Sequence, residues 1–233
     1  MKEILTGGLA ALNLDTAAAE TLERYGQLLI EKNQSMNLTA ITEPAQVARL
    51  HMLDCAALLG CADFAGSKVL DVGTGAGFPG MVLKCLEPSI SLTLLDSLNK
   101  RIEWLREIAP QLEVEDLTAL HGRAEEFGLM AEHREQYDIV TSRAVADLRL
   151  LCELCLPFVK VGGHFLAMKG PGAQEEKESA GRCVSILGGR FRKDFVYQIP
   201  GTDTSHRVVM IEKIAPTPAK YPRRFNKMKK FPL

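Results

Sequence analysis

The 233-residue sequence predicts an α/β fold with a mostly parallel sheet, an antiparallel edge and an N-terminal helical extension. From residue 67 onward, short apolar and β-branched runs alternate with helical stretches, which is typical of a parallel sheet covered on both faces. A glycine-rich turn follows the first run, and a polar turn rather than a helix joins the last two. These observations divide the chain into a helical segment at 1–66, a central domain at 67–215 and a tail at 216–233.

The N-terminal segment has the pattern of amphipathic helices. Asp15 is a suitable N-cap for a helix from 16 to 32, whose apolar residues recur at helical spacing. Pro44 is placed to open a second helix that ends near residue 59. Two or three helices of this kind bury little apolar surface by themselves, so we expect them to pack against the central domain.

The central domain follows the order expected of βαβ units. The parallel strands are predicted at 68–72, 91–95, 118–120, 137–141 and 163–168. The helices between them are predicted at 81–86, 97–108 and 147–156. Two further strands, at 192–199 and 207–211, are predicted to form an antiparallel pair at the edge of the sheet.

Composition is that of a soluble globular chain, with 46% hydrophobic residues, 24% charged residues and a formal net charge of −1. The start of the chain lacks the positive, unbroken apolar pattern of a secretory signal. No stretch reaches the roughly 20 apolar residues of a membrane span. We therefore expect a cytoplasmic protein without membrane attachment.

The tail concentrates positive charge, because residues 216–233 hold 6 basic residues and no acidic ones. A solvated, frayed C-terminus is one interpretation. The other is a phosphate-binding arm, in which Tyr221, Phe225 and Phe231 would stack on bases between the cations. Composition does not decide between them.

Cysteine usage gives no sign of a metal centre. Of the six cysteines, Cys152 and Cys155 form a C-x-x-C pair within a leucine-rich helical stretch. One such pair supplies only two of the four ligands of a structural zinc site. We expect these thiols to be buried and expect no resident metal.

The glycine-rich turn is the most informative stretch of the chain. Gly73, Gly75 and Gly77 follow the first strand, and such turns bring backbone close to a ligand at the carboxyl ends of a parallel sheet. The run from Gly75 to Gly80 also fits a dinucleotide pattern, which alone is weak. Asp71 closes the strand just before the glycines, where a carboxylate would be unfavourable beside a pyrophosphate. It would suit S-adenosylmethionine, which carries an ammonium group, a sulfonium group and no phosphate.

Asp96 ends the second strand, 25 positions after Asp71. A carboxylate at this place can accept hydrogen bonds from both hydroxyls of a ribose. It can also serve as the N-cap of the following helix, and one residue can do both.

The stretch from Asp71 to Gly80, DVGTGAGFPG, resembles the first motif of the small-subunit ribosomal RNA methyltransferase G family. Further segments resemble the family's signatures in order along most of the chain, at 37–39, 51–54, 94–101, 122–126, 142–146 and 221–224. Asn226 and Met228 depart from the pattern, because many members have glycine and proline there. The resemblance implies a Rossmann-like class I S-adenosylmethionine methyltransferase that modifies N7 of a guanine in 16S ribosomal RNA.

The resemblance also implies a lining for the cofactor site that includes Gly73, Phe78, Ala124, Glu125 and Arg143. With the residues chosen from the glycine turn and the second strand, the predicted cofactor-binding set is Asp71, Gly73, Gly75, Gly77, Phe78, Asp96, Ser97, Ala124, Glu125 and Arg143. Glu125 has an ordinary alternative role, because acidic residues are favoured in the first turn of a helix.

The implied reaction needs placement more than acid–base chemistry. Guanine N7 offers a lone pair and carries no proton, so in-line positioning suffices and no general base is expected. Arg143 is the predicted positioning residue, because an arginine can address guanine O6 without occupying N7. The predicted RNA-binding residues are Lys169, Arg223 and Arg224. The expected partner is 16S ribosomal RNA or the small ribosomal subunit, and we expect a monomer.

Three alternatives stay open at this stage. The same core could methylate a protein or a small molecule, although the basic tail disfavours this. A nicotinamide-dependent oxidoreductase would use the glycines as a dinucleotide motif, which Asp71 and the displaced spacing disfavour. A non-catalytic RNA-binding assembly factor could retain the fold, because N7 methylation requires no base whose loss the sequence would reveal.

Overall fold

The computed structural model describes residues 1–143, 146–170 and 172–233. Its strands form one eight-stranded sheet. In chain order they are β1 (Lys68–Val72), β2 (Ser91–Asp96), β3 (Leu117–His121), β4 (Tyr137–Arg143), β5 (Val159–Lys169), β6 (Gly189–Phe191), β7 (Phe195–Gln198) and β8 (Ser205–Lys213). Residues 144 and 145 of the predicted signature at 142–146 lie outside the described residues.

The helices cover the sheet and form the two ends of the chain. They are α1 (Lys2–Ala11), α2 (Ala19–Asn33), α3 (Pro44–Val47), α4 (Asp54–Ala56), α5 (Gly80–Leu86), α6 (Asn99–Ile108), α7 (Ala124–Phe127), α8 (Leu148–Cys155), α9 (Ala173–Ile186) and α10 (Phe225–Lys230). A π-helix, Ala48–Leu53, joins α3 to α4.

The strand order β3-β2-β1-β4-β5-β8-β6, with β7 also paired to β8, confirms the predicted fold class. Strands β1 to β5 are parallel, and β8 runs antiparallel to β5. The order reverses between β1 and β4, which places a crevice at their carboxyl ends. The predicted edge pair is present, since β7 and β8 pair antiparallel from Phe195 opposite Val208.

The N-terminal helices share one apolar core with the sheet. Leu22 and Tyr25 of α2 are buried in the same cluster as Val69 of β1. The Tyr25 hydroxyl donates a hydrogen bond to the carbonyl oxygen of Ala76 in the glycine turn. Asp15 caps the turn before α2, as predicted, by accepting a hydrogen bond from the Ala17 amide at 2.9 Å. The N-terminal helices therefore brace the glycine turn.

Four of the described helices were not predicted from the sequence. Helix α7 has only four residues, and the other three have weak helical periodicity. In α1 the pattern is broken by two glycines, yet Gly8 allows the Leu53 side chain to pack where a Cβ atom would stand. In α9 most residues are polar, and the buried face consists of small side chains such as Ala180 and Val184. Helix α10 has only six residues and one buried side chain, that of Met228.

The C-terminal segment packs against the domain rather than extending from it. Tyr221 and Met228 are buried in the second apolar cluster of the protein. The Arg223 guanidinium forms two hydrogen bonds with the Glu153 carboxylate, of 2.7 and 2.6 Å. The Glu153 side chain is 1% exposed and that of Arg223 is 15% exposed. This pairing disfavours the predicted contact of Arg223 with RNA, because its charge neutralises a carboxylate that helix α8 buries.

The Arg223–Glu153 pair generates a prediction on stability. Arg223→Ala should lower the free energy of unfolding by about 3 kcal/mol, because it leaves the Glu153 carboxylate buried without a cation. The adjacent Arg224 is exposed, and Arg224→Ala should change the free energy of unfolding by less than about 0.5 kcal/mol. Urea unfolding of the two variants measures the difference. Equal stability of the two variants would contradict a structural role for Arg223.

Candidate functional site

Two cavities meet at the carboxyl ends of β1 and β2. The larger, of about 400 Å³, is lined by Leu38, Thr39, His51, Gly73, Thr74, Gly75, Ala76, Phe78, Asp96, Ser97, Arg101 and Arg143. The smaller, of about 170 Å³, is lined by Val72, Gly73, Leu95, Asp96, Ser97, Gly122, Arg123, Ala124, Glu125, Leu154 and Phe225. Gly73, Asp96 and Ser97 line both, so the two cavities form one continuous site.

The glycine turn forms the floor between the cavities. Gly73, Gly75 and Gly77 have φ angles of +70°, +60° and +91°, a conformation that other residues rarely adopt. Gly73 and Gly75 line the larger cavity, whereas Gly77 belongs to neither lining. A Cβ atom on Gly77 would lie 2.8 Å from Met81 and 2.9 Å from Leu105. Gly77 therefore lets the turn pack against the core beneath it.

Asp71 organises the glycine turn from inside the protein. One carboxylate oxygen accepts hydrogen bonds from the Thr74 hydroxyl at 2.7 Å and the Gly80 amide at 3.0 Å. The other accepts from the Thr141 hydroxyl at 3.3 Å. The side chain is fully buried, and burial raises the pKa of Asp71 to about 6. This carboxylate is turned away from both cavities, which differs from the expected contact with an ammonium group.

Asp96 stands where the two cavities join. Its oxygens accept hydrogen bonds from the amides of Gly75 and Leu98, both at 2.9 Å. Arg101 lies 3.4 Å from the same carboxylate. Helix α6 begins at Asn99 without a side-chain cap, so Asp96 fixes the turn before the helix and does not act as its N-cap. A carboxylate oxygen can accept two hydrogen bonds, so Asp96 retains acceptor capacity toward the site.

Arg143 lies over the ring of Phe78 at the larger cavity, with 4.8 Å between the guanidinium carbon and the ring centroid. It donates hydrogen bonds to the Leu50 carbonyl at 3.2 Å and the Asp54 carboxylate at 3.3 Å. His51 stacks on the same Phe78 ring, with 4.8 Å between centroids. The π-helix and the end of β4 thus place two nitrogen-bearing side chains against the same aromatic ring.

His51 is held in its neutral form. Burial, together with the nearby charge of Arg143, lowers the pKa of His51 to about 4. Its Nδ1 atom lies 3.1 Å from the Arg143 guanidinium, and its Nε2 atom lies 2.8 Å from the Thr39 hydroxyl. Because arginine can only donate, Nδ1 accepts from Arg143, and the ring proton on Nε2 is directed to Thr39.

Asp54 connects Arg143 to the antiparallel edge of the sheet. Its other carboxylate oxygen accepts hydrogen bonds from the Tyr197 hydroxyl at 2.7 Å and from His206 at 2.8 Å. The hydrogen bond to Asp54 raises the pKa of His206 above its ordinary value. Side chains from α4, β4, β7 and β8 therefore fix the orientation of Arg143.

The smaller cavity has an apolar lining and one charged edge. Val72, Leu95 and Leu154 contribute aliphatic surface, and Phe225 contributes an aromatic ring from the C-terminal helix. At the edge, Glu125 lies 3.1 Å from Arg123 in an ion pair. Such a cavity suits a flat heterocycle with polar atoms at its rim.

Comparison with known proteins places the chain in a family. The family model of rRNA small subunit methyltransferase G matches residues 18–198. The chain belongs to the rRNA small subunit methyltransferase G family. It is 46% identical to the protein of that name from Alkaliphilus metalliredigens, over 96% of this chain and 95% of the relative. It is 44% identical to the one from Clostridium tetani, over 90% and 88%.

Solved structures resemble the chain in fold. A SAM-dependent methyltransferase from Aquifex aeolicus has a TM-score of 0.53 at 17% identity, covering 78% of this chain and 97% of that one. A SAM-dependent O-methyltransferase from Thermotoga maritima has a TM-score of 0.56 at 16% identity, covering 80% and 71%. The predicted family membership and the predicted methyltransferase fold are both confirmed.

Within this methyltransferase G family member, the predicted site residues fall into two groups. One group lines the joined cavities: Gly73, Gly75, Phe78, Asp96, Ser97, Ala124, Glu125 and Arg143. The other group, Asp71 and Gly77, shapes the glycine turn from below. The cofactor role of each residue stays a prediction.

The predicted RNA-binding cations have different surroundings. Lys169 lies 2.7 Å from Glu176 and donates a hydrogen bond of 2.6 Å to the Ala146 carbonyl, with its side chain 10% exposed. It is therefore largely occupied within the protein, which disfavours the predicted contact with RNA phosphates. Arg223 is paired with Glu153, whereas Arg224 is exposed. Of the three, Arg224 has the exposure that phosphate binding requires.

Sequence analysis missed several residues of the site. Thr39, Asp54, Arg101 and Phe225 lie in or directly behind its walls, and His51 lines the larger cavity. The segments at 37–39 and 51–54 resemble family signatures in the sequence. Their place in the site, however, follows only from the packing of the N-terminal helices. Phe225 carried no signal beyond its place among cations.

The part of the chain that the structure describes contains neither a cluster of metal ligands nor a membrane-spanning helix. No group of three or more His, Cys, Asp or Glu side chains is placed there to hold a metal ion. Burial raises the pKa of Cys152 and Cys155 well above the ordinary range of a thiol. None of the described helices is long and apolar enough to cross a membrane.

The buried Asp71 generates a prediction on pH dependence. An unfolded aspartate has a pKa near 3.9, and in the folded protein the pKa of Asp71 is about 6. Between about pH 4 and 6 the folded state keeps a proton that the unfolded state has released, so stability falls as pH rises through this window. Relative to the Asp71→Asn variant, the free energy of unfolding of the native protein should fall by about 3 kcal/mol across this pH window.

Urea unfolding of both proteins from pH 4 to 8 measures this difference, with the exposed Asp203→Asn as control. The control should keep the pH profile of the native protein. If Asp71→Asn also keeps that profile, the carboxylate does not titrate in the folded state as we expect.

Proposed function

We propose that this chain transfers a methyl group from S-adenosylmethionine to N7 of a guanine in 16S ribosomal RNA. The observation that carries the proposal is the pair of joined cavities, of about 400 and 170 Å³, which meet at Gly73, Asp96 and Ser97. A ligand with a nucleoside at one end and a reactive group at the other would span them. The names of the family and of its curated members support the ribosomal substrate.

The residues of the site fit this cofactor. Asp96 stands at the junction, where its remaining acceptor position suits a ribose hydroxyl. The apolar lining with Leu95 and Ala124 suits the adenine ring. The exposed backbone of Gly73 and Gly75 leaves space for the amino acid end in the larger cavity.

The larger cavity also has space for the base that receives the methyl group. S-adenosylmethionine supplies a methyl group on a sulfonium, which an unprotonated ring nitrogen can attack directly. Arg143 uses three of its five N–H groups on Leu50, Asp54 and His51, so two remain to donate toward guanine O6. Phe78 and His51, stacked beside it, offer ring surface to the base.

A general base is not needed for this reaction, because guanine N7 has no proton to remove. His51 is neutral near pH 7, since its pKa is about 4, and it serves by accepting a hydrogen bond from Arg143. Asp54 supports the same guanidinium from the other side. The proposed role of these groups is to orient Arg143, and placement alone accounts for several kcal/mol of catalysis.

We also propose that the protein acts as a monomer in the cytoplasm, where ribosomal subunits are assembled. Apart from the adjacent Leu129 and Met130, the exposed large apolar side chains come from different segments of the chain, and single exposed apolar residues are normal in monomers. They are Leu98, Leu129, Met130, Val161, Val196, Ile214 and Phe231.

The first test is transfer of a labelled methyl group from S-adenosylmethionine to 16S RNA and to small subunits that lack their natural modifications. We expect label on a single guanine, with strand cleavage there by borohydride–aniline chemistry, which is specific for N7-methylation. Label that resists this cleavage would indicate another atom. No label, despite measured cofactor binding, would contradict an RNA methyltransferase.

Arg143→Lys should lower kcat about a hundredfold and change cofactor affinity less than threefold. Lysine keeps the charge beside Asp54 but has no planar fork to hold the base in register, and a misplacement of about 1 Å can cost this much. The exposed Arg192→Lys is the matched control and should retain full activity. A rise in KM at constant kcat would show that Arg143 binds RNA without positioning the base.

A further inference from the structure

The C-terminal segment, residues 221–228, has two sides. One side borders the proposed cofactor cavity, and the other is exposed to solvent. Inside, Tyr221 and Met228 are buried and Phe225 packs against the same apolar cluster. Outside, Arg224, Lys227 and Asn226 are exposed. A segment with this arrangement can contact two different ligands at once.

The inner side of the segment forms a wall of the smaller cavity. Phe225 lines it together with Leu95 and Leu154. Among the described residues, no other aromatic side chain belongs to this lining. The Arg123 guanidinium lies over the Phe225 ring, with 4.6 Å between the guanidinium carbon and the ring centroid. Aromatic rings contribute strongly to binding a purine, by about 1–3 kcal/mol for each stacked base.

The position of Phe225 is fixed by neighbours on both sides along the chain. Before it, Arg223 is paired with the buried Glu153, and the Tyr221 carbonyl accepts a hydrogen bond of 2.8 Å from Arg134. After it, the Met228 side chain is buried. These contacts hold the backbone on both sides of Phe225, whereas the ring itself is only half-buried at the cavity wall.

The outer side of the segment borders a groove of about 790 Å³. In its lining, Arg223 is paired with Glu153 and Arg123 with Glu125. This leaves the cations of Arg224 and Lys227 against the carboxylate of Glu126. Arg123, Glu125 and Phe225 line both this groove and the smaller cavity. A polyanion in the groove would therefore contact the residues that close the cavity.

We propose that residues 221–228 couple RNA binding to cofactor binding, with Phe225 closing the cofactor cavity and Arg224 and Lys227 holding RNA phosphates. This rests on the proposed function for the identity of both ligands. Because Arg123 and Phe225 serve both sites, phosphate in the groove stabilises the closed wall, and each ligand tightens the binding of the other. The expected direction is tighter cofactor binding when RNA is present.

The test measures the Kd of S-adenosylhomocysteine by calorimetry for the native chain, Phe225→Ala, Phe225→Leu and Phe231→Ala. Phe225→Ala should bind about tenfold more weakly and Phe225→Leu about threefold, with equal loss for adenosine alone, because the lost contact is to the adenine. Phe231, which is 60% exposed just beyond the segment, is the matched control, and Phe231→Ala should leave the Kd unchanged. Urea unfolding shows which variants are folded.

The second arm repeats the titration with saturating 16S RNA transcript at constant low salt. RNA should tighten cofactor binding to the native chain about fivefold, and this gain should disappear in Phe225→Ala and in the double variant Arg224→Ala with Lys227→Ala. Equal Kd values for the native chain and folded Phe225 variants, or no effect of RNA on the native Kd, would overturn the inference. A native chain that binds neither S-adenosylhomocysteine nor adenosine would instead contradict the proposed function.

Discussion

The buried carboxylate of Asp71 is the interaction on which the site depends. It receives three hydrogen bonds, from Thr74 and Gly80 in the turn and from Thr141 on the neighbouring strand. Those bonds fix the path of the backbone between β1 and α5, and the positive φ angles of the glycines follow from that path. Because a charged or polar group without partners is costly inside a protein, the turn cannot change shape without leaving this carboxylate unsatisfied.

The parallel part of the sheet could be predicted from the sequence, because buried strands and glycine turns are local patterns. The predicted β1, at 68–72, has the observed bounds, and the pairing of β7 with β8 followed from a polar turn between two apolar runs. Local patterns do not show which way a side chain at a strand end points. Asp71 is the penultimate residue of β1 and Asp96 is the last residue of β2, yet the Asp71 carboxylate points into the glycine turn and the Asp96 carboxylate borders the cavities.

The basic tail shows a different limit of sequence analysis. Counting charges finds Arg223 and Arg224 equivalent, but the buried Glu153, some seventy positions earlier, distinguishes them. Neutralisation by a distant carboxylate is a property of the tertiary structure, and helix α8 alone gives no reason why Glu153 should be covered. Lys169 shows a related limit, because its partner Glu176 lies in helix α9, which the sequence did not predict.

Both ends of the chain complete a site that the central sheet leaves open. The glycine turn and Asp96 belong to the βαβ core and offer a crevice typical of open α/β sheets. The N-terminal helices add Thr39 and His51 to the larger cavity, and the C-terminal helix adds Phe225 to the smaller one. In the proposed function, the βαβ core binds the cofactor, whereas the walls that contact the base and its phosphates come from the terminal segments. Under that proposal, specificity resides in residues outside the βαβ core.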